Sequence, residues 1–102
     1  MNRILKYPLN ITDKQTIKIP LQHGMSLKDS VLKIDIQREH PFMWVMAEDE
    51  NEPIECEIFT KGTGHTCDSI FTRVDTYLGS YQLQGGGFVG HVFGVKDERK
   101  YI

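Results

Sequence analysis

The chain has 102 residues, a net charge of −2 and 39% hydrophobic residues, enough for one domain with a single core. Its acids and bases are interleaved without a basic stripe, which argues against duplex nucleic acid as a partner. No apolar run approaches the ~20 residues that cross a bilayer, and the N-terminal run is too short for a secretory signal, so a cytoplasmic protein with no membrane association is expected.

Strand signals recur roughly every 10 to 15 residues, and helix signals are almost absent. Residues 4–9 form a short strand ending against Pro8, as an edge strand should. After a turn at 10–14, residues 16–21 alternate Ile17, Ile19 and Leu21 against Thr16 and Lys18, with Pro20 again suiting an edge. Residues 26–29 make at most one helical turn. Residues 30–37 give the clearest half-buried strand, with Leu32, Ile34 and Ile36 on one face and Lys33, Asp35 and Gln37 on the other. A short polar connection, 38–41, leads to residues 42–47, which are apolar on both faces around Trp44. That pattern places the strand centrally with both sides covered.

The acidic run 48–53 reads as a solvated hairpin tip. It lacks the ligand spacing of a calcium loop. Residues 54–60 alternate again, with Ile54, Cys56 and Ile58 inward. Residues 68–75 are ambiguous between a helical turn and an irregular strand. Strands 77–83 and 88–95 flank Gln84-Gly85-Gly86-Gly87, a hairpin in which glycine supplies positive φ. The expected fold is an all-β antiparallel sandwich or small barrel of six to seven strands, as a single domain over 1–95 with a charged tail at 96–102. Cys56 on a strand and Cys67 in a loop fit two free thiols in a reducing compartment.

The most distinctive stretch is Thr60 to Cys67, which holds two glycines, hydroxyls, a lysine and a histidine but no long apolar side chain. Consecutive amides in such a turn can form a nest for an anion, with Lys61 adding charge, Thr63 and Thr66 adding hydroxyls, and His65 donating to phosphate or carboxylate. Gly62 and Gly64 shape that path. The alternative is a tight loop whose side chains bond its own backbone. It is not a P-loop, because the Walker spacing is missing. His91 shares a strand face with Val89, Phe93 and Val95, and the final strand can bring it beside His65 at one hollow. Alternatively, His91 is a core histidine satisfied by a hydrogen bond. Gly90 and Gly94 leave hollows beside Phe88 and Val92. Tyr77, Tyr81 or Trp44 fills them, or else a flat ring or a partner's side chain does. The candidate ligand contacts are therefore Lys61, Gly62, Thr63, Gly64, His65, Thr66, His91, Trp44 and Tyr81. The His-x-Cys spacing supports no metal site, and no cofactor motif is present.

Lys6-Tyr7-Pro8, Trp44, Gly62-Thr63-Gly64-His65, Tyr77 to Tyr81 and Gly86-Gly87-Phe88-Val89-Gly90-His91-Val92-Phe93 occur in an order and spacing similar to those of short proteins encoded by tailed bacteriophages. The resemblance covers residues 4–94. That group often has Trp where Gly90 stands and an apolar residue where Thr66 stands. The resemblance implies an accessory protein acting in the cytoplasm of the infected bacterium, and it supplies no reaction. The function expected is non-catalytic: a homo-oligomeric host-defence antagonist that binds a nucleotide-like small molecule or a host defence protein. A virion or assembly component and a small enzyme using His65 and His91 are the alternatives.

Overall fold

A computed structural model describes residues 1–67 and 72–97. Among the described residues there are seven strands, β1 (Asn2–Pro8), β2 (Lys14–Ile19), β3 (Val31–Gln37), β4 (His40–Glu48), β5 (Ile54–Gly62), β6 (Tyr77–Leu83) and β7 (Phe88–Lys96), with one short α-helix, α1 (Leu27–Ser30), and 3-10 turns at Val74–Thr76 and Gln84–Gly86. They form two antiparallel sheets, ordered β1-β4-β3 and β2-β5-β7-β6. The all-β reading holds, and β1 and β2 are edge strands, as Pro8 and Pro20 suggested. The ambiguous stretch includes residues 68–71, and the charged tail includes 98–102; both segments lie outside the described residues. Among the described residues, no helix is long and apolar enough to cross a membrane.

Alternation builds the core. From β4, Met43 and Val45 point between the sheets, and from β5 so do Cys56 and Ile58, where they meet Leu9, Ile19, Leu21, Ile34 and Val92. Burial pushes the Cys56 thiol up to about 12, as expected for a thiolate denied water. Ser26 caps α1 by accepting from the Asp29 amide at 3.1 Å, which offsets one orphan donor of the helix. Leu27 then enters the core from α1. At the seam between the sheets, β3 packs against β6, where Ile34 closes on Gly79.

Three expectations require correction. The outer side of β4 is not covered by a second layer: Phe42, Trp44 and Met46 are half-buried, while Pro41, Met43, Val45 and Ala47 are fully buried beneath them. Leu32 does not join Ile34 and Ile36 inside. The register slips between Val31 and Lys33, so Leu32 is an extra residue of a bulge and is 51% exposed, because one inserted residue breaks the two-residue period. The connection from β3 to β4 is shorter than 38–41. Only Arg38 and Glu39 turn the chain, with φ of 53° and 65°. This is the primed hairpin geometry that usually recruits Asn and Gly.

Candidate functional site

The distinctive loop is held largely by its own atoms. The Gly62 carbonyl accepts from the His65 amide at 3.0 Å, and Gly64 at φ 91° allows the reversal. Only glycine adopts that φ readily at this position of a tight turn. The Gly62 amide donates to Nδ1 of His65 at 3.3 Å, and the Thr63 amide donates to the Val89 carbonyl at 3.3 Å. The amides of residues 62, 63 and 65 are therefore committed, which removes the run of free donors that an anion nest requires. The Thr66 and Cys67 positions are exposed.

His91 lies on the outer face of β7, between Lys61 of β5 and Ser80 of β6. Both of its ring nitrogens meet hydroxyls: Nε2 pairs with Thr63 Oγ1 at 2.9 Å and Nδ1 with the Tyr77 hydroxyl at 3.0 Å. Tyr77 also packs edge-on against Phe93, with ring centroids 5.2 Å apart. The imidazole thus staples the loop to β6 and β7. His65 sits elsewhere. Its ring lies where a Gly62 side chain would project, with Cε1 2.9 Å from an ideal Cβ. Gly62 follows Cys56, Ile58 and Thr60 on the inward face, so the two imidazoles occupy opposite sides of the sheet. They share no hollow, contrary to the sequence expectation.

The hollows at the two glycines of β7 are filled from within. The Tyr81 ring covers Gly90, with its Cζ 2.7 Å from where a Cβ would stand, and Leu78, Ile58 and Leu27 close on Gly94. Tyr81 is 3% exposed, so its ring is not offered to a guest. Burial raises its phenol pKa, partly opposed by the nearby Thr60 hydroxyl. The hydroxyls of Thr60 and Tyr81 are nonetheless buried without a well-formed hydrogen bond.

Trp44 is on the other sheet altogether, and there a different group of residues assembles that the sequence reading did not gather. Along the outer face of β4, His40, Phe42 and Trp44 follow at alternate positions. The His40 and Phe42 centroids are 5.4 Å apart and those of Phe42 and Trp44 6.1 Å. Lys6 of β1 and Lys33 of β3 stand opposite Trp44 on either side. The Lys6 ammonium lies 4.7 Å from the Phe42 centroid and donates to Gln37 Oε1 at 2.8 Å. Lys33 pairs with Asp35 at 2.9 Å, which holds the Asp35 carboxyl below its usual range. Lys6, Gln37, Arg38, His40 and Phe42 line a cleft of about 310 Å³. Arg38 has no ion-pair partner among the described residues. The sequence signal for this site is the apolar run 42–47 around Trp44, whose two-sided pattern predicts a doubly covered centre; the lysines come from β1 and β3 and only the sheet register brings them beside it.

Two other hollows offer less. One of about 250 Å³ near Ser26, Lys28, Arg73 and Lys96 has no aromatic ring in its lining, and its Lys28 and Arg73 are held by the Val74 carbonyl at 3.3 Å and by Asp75 at 3.1 Å. A groove of about 580 Å³ along Ile36, Glu39, Gln82 and Gln84 contains no cation. Among the described residues, no cluster of three His, Cys, Asp or Glu side chains is placed to hold a metal.

No curated protein and no solved structure matches the chain. A family model described as a domain of unknown function, DUF7352, matches residues 1–101, and the chain belongs to that family.

Proposed function

We propose that this is a phage-encoded accessory protein that acts in the cytoplasm of the infected bacterium by binding rather than by catalysis, capturing a nucleotide-like small molecule. The observation that carries this reading is the cleft where Lys6, Arg38 and His40 meet the Phe42 ring, continued by Trp44. Its volume falls at the lower end of the ~300–1,000 Å³ typical of ligand sites. Its chemistry suits a planar base on a ring face and a phosphate between cations. Binding also agrees with the state of the two central histidines. His91 spends both nitrogens on hydroxyls, and His65 spends Nδ1 on the Gly62 amide, which leaves no imidazole pair poised for acid–base transfer.

The phage origin and the antagonism of host defence rest on the motif resemblance, and the nucleotide preference rests on the cleft. A thermal-shift screen against cyclic and linear nucleotides, followed by calorimetry, tests the proposal. A ligand at 100 times its Kd adds about 2.7 kcal/mol to stability, a rise in melting point of roughly 10–20 °C for a domain of this size. The expected result is such a shift with at least one nucleotide, lost in Phe42→Ala and Arg38→Ala. No shift beyond ~1 °C with any nucleotide would leave only capture of a host protein.

A further inference from the structure

The rings on β4 form a row longer than one base requires. His40, Phe42 and Trp44 stand at alternate positions of one strand, so their attachment points repeat at ~6.8 Å, twice the ~3.4 Å rise per residue. The ring centroids themselves stand 5.4 and 6.1 Å apart, well beyond the ~3.4 Å between stacked bases of a duplex strand, so the row suits bases splayed apart on separate side chains, as single strands are held. The row is flanked by Lys6 on the β1 side and by the Lys33–Asp35 ion pair on the β3 side, Lys33 opposite Trp44 and Asp35 opposite Phe42, with Arg38 at its end; that pair is exposed, so its ammonium can exchange to a phosphate at little cost. A mononucleotide would use one ring and one or two cations, leaving the remainder without a role.

The Arg38-Glu39 turn adds a second, independent observation. Two consecutive non-glycine residues at positive φ are an uncommon and costly choice for a hairpin, and here they place Arg38 at the mouth of the cleft. Lys6 resting over Phe42 is compatible with ligand entry, because an exposed cation–π contact is weak and a phosphate offers the ammonium a stronger partner.

We infer that the outer face of β4 binds single-stranded nucleic acid, with successive bases on Phe42 and Trp44 and phosphates on Lys6, Arg38 and Lys33. The inference deepens the nucleotide reading of this face and rests on it. It is compatible with the low net charge, because the affinity comes from ring stacking more than from counterion release. The salt dependence should accordingly be shallow, with a slope of log K against log salt of about −2, from ~0.7 per neutralised phosphate and three cations.

The test is fluorescence anisotropy of the full chain with 5′-labelled single-stranded ten-mers, dT10 and rU10. An unlabelled mononucleotide and a duplex ten-mer serve as competitors. The expected result is that at least one ten-mer binds more than tenfold tighter than either competitor, with a salt slope near −2. Trp44→Ala and Phe42→Ala should each weaken it about tenfold, the loss of one stacked base. Arg38→Ala should weaken it severalfold, and Lys18→Ala on the opposite sheet should leave it unchanged. Because Trp44 and Phe42 also pack on neighbours, each variant is checked by thermal melting, and Lys6→Glu reports on the face without deleting a ring. Mononucleotide binding with no gain for the ten-mers would overturn this inference and leave the small-nucleotide reading standing. Absence of binding to both would overturn the two together. Equal affinity for duplex, or ten-mer binding indifferent to Trp44→Ala, Phe42→Ala and Lys6→Glu, would place any affinity elsewhere and also overturn it.

Discussion

Replacing Gly90 by alanine places one methyl group against a buried ring. The new Cβ would stand 2.7 Å from Tyr81 Cζ, 3.0 Å from its hydroxyl oxygen and 3.1 Å from Cε1, whereas carbon atoms in contact prefer ~3.5–4.0 Å. Tyr81 cannot simply swing away, because it is packed in the core cluster and 3% exposed. Overpacking of this kind costs ~1–3 kcal/mol. Against it stands the gain of ~0.5–1 kcal/mol usual when alanine replaces glycine inside an element. The steric term wins, and the net loss should be about 1–2 kcal/mol, or a melting point lower by roughly 5–15 °C. Urea denaturation with an unchanged slope is the assay. Tyr81→Ala alone should cost about 3–5 kcal/mol, by analogy with other buried aromatics. The double variant should recover about 1–2 kcal/mol relative to the sum of the singles, since the methyl then has room. A Gly90→Ala chain as stable as the parent, or an additive double variant, would refute the claim that Tyr81 occupies the hollow over Gly90. The same geometry explains why a larger residue at position 90 would require the ring to be placed differently.

Three further predictions follow from single contacts. His91→Phe should preserve the sheet but release the loop, raising amide exchange at residues 62–67 and costing about 1–3 kcal/mol, since two hydroxyl partners are lost together. In the native state a thiol reagent should modify Cys67 readily and Cys56 only upon unfolding, because Cys67 is exposed while Cys56 is buried with its thiol pushed up to about 12; equal reactivity in native protein would contradict the placement of β5. The Asp49 carboxyl is held below its ordinary 3.8, first by the Arg3 side chain and then by the N-terminal amine, and Glu48 below 4.5 by that same amine. Depressed carboxyls add stability above their unfolded values, and that contribution disappears as pH falls through their folded values. Stability should therefore decline below about pH 4.5, and less steeply in Arg3→Ala, as read by urea midpoints between pH 5 and 2.

The edge strands, the 77–83 strand and the final hairpin were legible because period-two alternation and turn glycines are local signals. Tyr77 to Leu83 begins and ends where the sequence put it. The Leu32 misreading arose because alternation survives in the sequence through a bulge while the register does not. The β4 strand was misread for a different reason. Apolar residues on both faces imply contact on both faces, but periodicity cannot distinguish a second layer of protein from a surface kept for a partner. The Arg38-Glu39 turn carried no glycine or asparagine to announce its positive φ. The loop at 62–65 was recognised as shaped, yet the fate of its amides depends on the Val89 carbonyl and on the His65 ring folding back, neither of which is a property of the loop's composition. His91 was rightly set on the face with Val89, Phe93 and Val95. Its partners Thr63 and Tyr77 come from the loop after β5 and from the start of β6, so spacing could not reveal them.

Trp44 is the sole tryptophan of the chain and stands on the face to which the function is assigned, so its emission is a direct reporter of occupancy. Titrating the full chain with the nucleotide or oligonucleotide that gives the largest thermal shift should quench or shift Trp44 fluorescence saturably, at the concentration found by calorimetry. Phe42→Ala should move both curves together. Calorimetric binding that leaves Trp44 emission untouched would contradict the assignment of the outer face of β4 as the binding site.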